Sequence, residues 1–425
     1  MFRCALTTLG CKVNQCETQA LAEMMKKNGY TIVDFDELAE VYIINTCCVT
    51  AEGERKSRQL VRRAVAKNSS AVIAVTGCAA QKAPELFYGI PGVSIVAGNT
   101  QKQNLPAMIL SGLKGCSVED MTHFSAYQEL PDSLGEKTRA FIKIQDGCNN
   151  FCSYCIIPYV RGRECSRELE HIEEQCRELA RAGFCEIVLN GIHLSSYGRE
   201  WNFSVSLADA VERIAAIDGI ERVRLGSLEP NIITDAFLAR VCAKEEFCRQ
   251  YHLSLQSGSD TVLKRMNRRY TAEEYFQAVE KIRKLDPLSA ISTDIIVGFP
   301  GETEEEFRQT LAFTEKVGFA WVHVFPYSAR EGTRAAVMEG QLPKSVKAAR
   351  AAQLSALCEQ KSKEYRRQFI GMTKSVLCEN DFGGRQYGLT KEHLQVSFPG
   401  EGLAGKIVFV KITQLSEDGL LGERI

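Results

Sequence analysis

The stretch Cys148-Asn149-Asn150-Phe151-Cys152-Ser153-Tyr154-Cys155 sets three thiols at i, i+4 and i+7, just after an apolar run, Phe141-Ile142-Lys143-Ile144. Thiolates so close on one loop can each take a different iron of a four-iron cubane. Electron carriers usually ligate all four irons with cysteine. Here no fourth cysteine follows in a ferredoxin-like run, and Cys165 lies further on in a charged segment. One iron then stays open, and an open coordination position on a metal is where a substrate binds. The alternative is a zinc knuckle, but zinc prefers four N/S ligands and usually pairs two short cysteine clips. The loop predicts a [4Fe–4S] cluster with one free iron.

This spacing and its setting resemble the radical S-adenosylmethionine (SAM) superfamily. The resemblance implies that the free iron chelates the amino and carboxylate groups of SAM. The reduced cluster then cleaves SAM to methionine and a 5′-deoxyadenosyl radical. It says nothing about the substrate, for which the rest of the chain is needed.

At 425 residues the chain is long enough for two or three domains. Apolar and charged contents of 45% and 25% are those of a soluble globular protein. Lys+Arg 52 against Asp+Glu 53 gives a net charge of −1, so nucleic-acid contact must rest on local patches. The first ten residues read as a strand rather than a signal peptide, and no apolar run reaches the ~20 residues that span a bilayer. Seventeen cysteines without an export signal point to a reducing, cytoplasmic setting where thiols serve metals.

From residue 1 to about 112 short apolar runs alternate with amphipathic ones: strands at Cys4–Leu9, Val41–Ile44 and Ala71–Val75, helices at Glu17–Asn28 and Ala51–Lys67. That order predicts a doubly wound parallel sheet. Cys11, Cys47 and Cys78 each follow a strand, at the carboxyl edge where such sheets bind ligands. Gly10 and Gly77 let the backbone approach a bulky group. Buried structural cysteine is the ordinary alternative, but three equivalent placements favour a second cluster with an open iron. Cys48 adjoins Cys47, and on spacing either could be the ligand. Cys4 and Cys16 read as structural, and the Arg55-Lys56-Ser57-Arg58 run with Arg62 and Arg63 as a solvated helix face.

The motifs Leu9-Gly10-Cys11-Lys12-Val13-Asn14-Gln15, Asn45-Thr46-Cys47-Cys48-Val49-Thr50 and Val75-Thr76-Gly77-Cys78-Ala79-Ala80-Gln81 resemble the N-terminal domain of the methylthiotransferases. The resemblance implies Cys11, Cys47 and Cys78 as ligands of the second cluster. Threonine usually follows the second ligand in that family, so Cys48 is the departure. The lysine-valine form of the first motif is most similar to the branch acting on threonylcarbamoyladenosine in tRNA. Other branches, acting on isopentenyladenosine or a ribosomal-protein aspartate, differ after the cysteine.

Residues 113–137 read as a linker, with Pro131, Ser133 and Gly135. Residues 138–345 carry six strand–helix units. The strands are Phe141–Ile144, Glu186–Leu189, Arg222–Leu225, His252–Leu255, Ser292–Val297 and Trp321–Phe325, with helices such as Ser166–Ala182, Thr271–Lys284 and Thr303–Val317. This suits the partial (β/α)6 barrel that the superfamily resemblance implies, with its active site at the carboxyl strand ends. By resemblance Glu229 and Gln256 border the SAM site, the backbone from Ile295 to Gly298 packs near its adenine, and Tyr154 touches that ring. His193 reads as a polar strand-end residue. Cys165 stands where the family's arginine-rich motif has arginine and is not read as a ligand. Arg161, Arg163 and Arg167, and Lys264, Arg265, Arg268 and Arg269 with Tyr270, are candidates for phosphate contact and base stacking.

Pro343 to Arg367 reads as one long helix carrying seven Lys and Arg against two Glu, a basic stripe linking the domains over residues 346–369. After Gly371 short strands and turns (Lys374–Glu379, Gln386–Leu389, Leu394–Phe398, Lys406–Ile412) predict a small β-barrel across residues 370–425. It resembles the TRAM domain of RNA-modifying enzymes. Six Lys and Arg against seven Asp and Glu give this barrel no basic character of its own. Taken together, the resemblance implies an enzyme that methylthiolates carbon 2 of threonylcarbamoyladenosine beside a tRNA anticodon. It would use two [4Fe–4S] clusters, SAM, and an electron donor such as flavodoxin or ferredoxin. The alternatives are the same reaction on isopentenyladenosine or a ribosomal protein, or a non-enzymatic iron–sulfur redox protein that binds RNA.

Overall fold

The computed structural model describes residues 2–131 and 138–425. Ser133 and Gly135 of the expected linker lie outside the described residues. Six strands make the first sheet: β1 (Arg3–Thr8), β2 (Thr31–Val33), β3 (Val41–Thr46), β4 (Val72–Gly77), β5 (Val93–Ala97) and β6 (Gly115–Ser117). Their order is β2-β1-β3-β4-β5-β6, and every pair is parallel. β3 is buried along its length because both faces are covered. Val41 and Ile43 pack with Leu21 and Met25 of α1 (Lys12–Lys27), while Tyr42 and Ile44 pack with Val61 and Ala64 of α2 (Ala51–Lys67).

Two expectations change here. α1 begins at Lys12 rather than Glu17, because Asn14 and Glu17, polar but buried, face another domain instead of water. The sheet also runs past residue 112: β6 pairs with β5 inside the segment read as linker. Three residues are too few to carry a strand period.

The central domain follows as β7 (Ala140–Asp146), β8 (Cys165–Ser166), β9 (Glu186–Gly191), β10 (Arg222–Leu225), β11 (Ser227–Leu228), β12 (Gln250–Leu253), β13 (Ala290–Val297) and β14 (Trp321–Pro326). Two sheets, β10-β9-β7-β8 and β11-β12-β13-β14, meet at Gly226, which breaks the third rung into β10 and β11. Apart from the short antiparallel β8, the pairs are parallel, giving the open six-rung barrel. Ser166 does not start a helix. It lies in β8, its hydroxyl donates to Glu200, and the helix Leu169–Arg181 starts after Glu168. Its core is one continuous cluster running from Ile142 and Leu189 through Phe237 and Tyr275 to Phe319.

The helix Lys344–Arg367 packs along β14 and carries the chain to a closed barrel, β15 (Thr373–Phe382), β16 (Arg385–Thr390), β17 (Gln395–Pro399), β18 (Ile407–Leu415) and β19 (Leu420–Arg424), ordered β15-β16-β17-β19-β18. β19, not anticipated, closes it. The helix is less of a basic stripe than its composition suggests. Lys347 donates to the Tyr327 carbonyl and Arg366 to that of Glu417; Arg350 pairs with Glu302, Lys361 with Glu364 and Lys363 with Glu359. Lys344 and Arg367 stay exposed. No described helix is long and apolar enough to cross a membrane.

Candidate active site

The loop from Gly147 to Cys155 leaves the carboxyl end of β7 and is pinned from three sides. Gly147 has φ +66°, and a Cβ there would stand 1.8 Å from the Arg163 carbonyl, so only glycine fits. The Cys148 N–H donates to the Gly162 carbonyl at 3.1 Å. Phe151 is left-handed at φ 49°, and the Asn267 amide holds it there by donating to the carbonyls of Asn150 and Phe151 at 3.2 and 3.0 Å. Ser153 bonds the Met266 and Arg265 carbonyls and accepts from the Ala335 N–H.

The three sulfurs are free thiols surrounded by donors. The Asn150 N–H points at Cys148 Sγ (3.5 Å) and Arg268 Nη1 at Cys152 Sγ (3.3 Å). Such donors are what metal-bound thiolates accept. Burial still dominates in the free thiols: Cys155 is pushed up to about 12 by burial and by the neighbouring Cys152, although the Ile157 N–H acts to lower it. Among the described residues, the side chains whose ligand atoms lie within 4.8 Å of one another, close enough to share a single ion, are Cys148, Glu164 and His193, and neither cysteine triad is so close. A cubane takes each thiolate at a separate iron, so this spread fits a cluster better than one zinc.

Around the loop runs a chain of buried charges. Arg268 pairs with Glu229 at 2.8 Å and donates to the Tyr270 hydroxyl at 2.8 Å. Glu229 also accepts from Asn150 (2.8 Å) and lies 3.5 Å from His193 Nε2. His193 Nδ1 meets Glu164 at 2.8 Å, and Arg199 grips both Glu164 oxygens at 3.0 Å. Burial would lower the His193 pKa, but the hydrogen bonds it donates to Glu164 and Glu229 outweigh it and raise the value. Burial likewise acts to raise Glu229, yet the His193 hydrogen bond and Arg268 hold it below the usual carboxylate range. An ionised Glu229 therefore faces the strand ends. His193 is more than a strand-end polar residue: it locks Glu164 to Glu229.

The N-terminal cysteines lie opposite. Cys11 and Cys47 follow β1 and β3, the two strands between which the sheet order switches, and Cys78 follows β4. Gly10 is at φ +101°, and a Cβ there would come within 2.8 Å of Cys47 Sγ. The Val49 N–H reaches Cys47 Sγ at 3.4 Å. Cys47 is raised to about 11, chiefly by burial, with the charges of Cys78 and Cys11 adding to it. Cys78 packs in one apolar cluster with Ile156 and Val160, just after Cys155, so the two cysteine loops come together there. Cys48 packs into the apolar core with Val61, Ala64 and Cys78. That leaves Cys47 turned toward the Cys11 loop.

Between the triads sits Arg161, with an almost wholly buried side chain. It donates from Nε to Cys78 Sγ (3.2 Å), from Nη1 to Glu17 and Asp146 (3.0 Å each), and from Nη2 to Asn14 (2.5 Å) and Glu17 (3.1 Å). Lys102 pairs with Glu17, and Lys143 with Asp146 at 3.1 Å. Burial alone would raise Glu17, but Arg161, Lys102 and Lys143 hold it well below the usual range. Cys78 is lowered to about 6, first by the Cys48 hydrogen bond and then, against burial, by Arg161 and Lys102.

The arginines read as phosphate contacts are therefore mostly spoken for. Arg167 pairs with Glu129, Arg265 with Glu306 and Arg268 with Glu229, while Arg163 lies over the Phe151 ring at 4.6 Å. Lys264 and Arg269 stay exposed. Of the expected SAM neighbours, Tyr154 packs edge-on to Phe299 (6.5 Å) in a group that includes Ile296. Ile295 turns its side chain into the barrel's apolar core, so only its backbone is available at the site. Gln256 is left-handed (φ 72°), and its backbone bonds Asp294 and Ile296. Gly298, at φ +70°, leaves room for the stem of Lys347: a Cβ would lie 2.5 Å from it.

Residues 142–314 match the radical SAM superfamily, and residues 3–98 match uncharacterized protein family UPF0004. The chain is 42% identical over 428 residues to a threonylcarbamoyladenosine tRNA methylthiotransferase, MtaB, of Bacillus subtilis (strain 168), covering 97% of this chain and 94% of that one. It is 39% identical to a tRNA-2-methylthio-N(6)-dimethylallyladenosine synthase of Clostridium botulinum (strain Loch Maree / Type A3), covering 99% and 96%. In fold it is similar to the radical SAM methyltransferase TsrM of Kitasatospora setae, at TM-score 0.57 and 15% identity over 90% of this chain and 79% of that one. The cobalamin-dependent radical SAM enzyme OxsB superposes at TM-score 0.56 and 13% identity, over 85% and 62%. Likeness of this extent, along nearly the whole length of chains that share this chemistry, means that the protein belongs to the radical SAM methylthiotransferase family.

Proposed function

We propose that this enzyme adds a methylthio group to carbon 2 of N6-threonylcarbamoyladenosine beside the anticodon of tRNA. The observation that carries the substrate is the full-length likeness to methylthiotransferases bearing that name, joined to the Cys11-Lys12-Val13 form of the first motif. Membership of the superfamily implies one [4Fe–4S] cluster and SAM. When bound, they supply the radical that opens an unactivated C–H bond.

The chain's own residues supply position and charge. Cys148, Cys152 and Cys155 would hold the first cluster, with Arg268 and the Asn150 N–H donating to its thiolates. Cys11, Cys47 and Cys78 would hold a second cluster that presents the sulfur. Glu229, kept ionised and oriented by His193 and Arg268, suits the ammonium group of SAM. Gln256 would border the SAM site beside Glu229, and Tyr154 and the backbone from Ile295 to Gly298 would border the adenine. A target base would have to leave its stack to enter, as single-stranded RNA allows. The cofactor would draw electrons from a flavodoxin or ferredoxin in the cytoplasm.

Mass spectrometry of tRNA nucleosides from a deletion strain tests this reading. Loss of 2-methylthio-threonylcarbamoyladenosine, restored by the wild-type chain, is expected. Its persistence, with loss of the dimethylallyl analogue instead, would transfer the substrate to the second reading that the Clostridium likeness favours.

A further inference from the structure

The buried group around Arg161 carries an unbalanced charge. Three cations, Arg161, Lys102 and Lys143, face two carboxylates, Glu17 and Asp146. Water does not screen them: the side chains of Arg161, Lys102 and Glu17 are 1%, 3% and 3% exposed. The formal count leaves one positive charge over, although burial pulls the Lys102 pKa down from its ordinary value, and the nearest sulfur is Cys78 Sγ, 3.2 Å from Arg161 Nε. The network also grips both ends of the first cysteine loop. Asp146 precedes Gly147, and Arg161 follows the short helix Ile157–Val160. Asn14, Glu17, Cys78 and Lys102 all belong to the other domain.

We propose that Arg161 is a positioning residue that ties the two cysteine loops together and sets the reduction potential of the cluster held by Cys11, Cys47 and Cys78. The inference rests on the second cluster assigned above. A hydrogen bond to a ligand sulfur and a nearby positive charge both favour the reduced, more negative cluster. In this low-dielectric seam that effect is stronger than at a surface. Arg268 makes a similar bond to Cys152 in the first triad, but its charge is balanced by Glu229.

The test is an EPR-monitored redox titration of the full-length protein with Cys148, Cys152 and Cys155 replaced by alanine, leaving only the N-terminal triad. At the potential that half-reduces this parent, Arg161→Gln is expected to lower the ratio of reduced to oxidised cluster about tenfold, or 59 mV for one electron. Arg161→Lys, which keeps the charge and loses the fork, is expected to fall between. Glu17→Gln, leaving more positive charge, shifts the ratio the opposite way, and Lys102→Gln shifts it down. This pair decides the matter if Arg161→Gln does not fold. An unchanged ratio across variants that retain their iron overturns the proposal. If the parent itself binds no iron, the second cluster is wrong and the proposal falls with it; iron content separates the two failures.

Discussion

Gly147 shows how much one missing Cβ carries. It precedes Cys148, and any side chain would collide with the Arg163 carbonyl while forcing a left-handed backbone, a strain of order 1–3 kcal/mol before the clash is counted. The loop would swing out and lose the bond from Cys148 to Gly162. Gly147→Ala should therefore cut the iron content to that of a Cys148/Cys152/Cys155 triple alanine variant, with the N-terminal cluster retained. Full iron in Gly147→Ala would show that the loop is not locked here. At this scale the six cysteines could be singled out as candidate ligands because each stands in a short, contiguous motif. Arg161 was not. Its partners Asn14, Glu17 and Cys78 lie 147, 144 and 83 residues away, so sequence displays its charge but not the counter-charges. The same blindness made Arg265 and Arg268 read as phosphate contacts.

Elements with strong local signals formed where expected. α2 spans the predicted Ala51–Lys67, with Thr50 accepting from the Gly53 N–H at 3.0 Å. The helix Glu304–Val317 opens with a reciprocal box between Thr303 and Glu306, and Arg265 clamps the same carboxylate. Of the elements that were missed, β2, β6 and β19 are short edge or closing strands fixed by pairing partners rather than by an internal period, whereas β5 (Val93–Ala97) is an interior strand between β4 and β6. The Glu306 box gives a measurable pH signature. The Arg265 hydrogen bond, with Thr261 and the Thr303 N–H, holds Glu306 at about 2 against an ordinary 4.5. A depressed carboxylate contributes its full stability above 4.5 and loses it as pH falls toward 2. Glu306→Gln should cost about 1 kcal/mol near neutrality, the usual scale of a cap. By urea unfolding its deficit should shrink below pH 4. A deficit that stays constant with pH would mean that packing, not charge, explains it.

At the scale of the whole molecule, the small barrel is fastened to the central domain by groups no local pattern displays. Arg222 and Arg224 of β10 share Glu186 and donate to the carbonyls of Leu389, Ser375, Thr390 and Lys391. These bonds use barrel carbonyls and fix its place at the amino ends of the larger barrel's strands, away from the carboxyl ends that carry the cysteine loop. His393 lies in the same seam, its ring 5.6 Å from Trp321. Burial, then the nearby Arg224 and Arg139, lower it to about 3 from an ordinary 6.5. In the unfolded chain it takes up a proton near 6.5; docked, it refuses one until about 3. The open state thus binds more protons in that window, and docking stability is complete above 6.5 and declines as pH falls toward 3. Trp321 and Trp201 are the two tryptophans of the chain, so a Trp201→Phe background makes Trp321 fluorescence a local probe of the seam. The urea midpoint read from it should be flat above pH 6.5 and fall steadily to pH 5. His393→Asn, which tolerates the left-handed φ of 66°, should flatten that fall. An equally steep fall in His393→Asn would assign the acid sensitivity to other groups and detach His393 from the docking of the barrel.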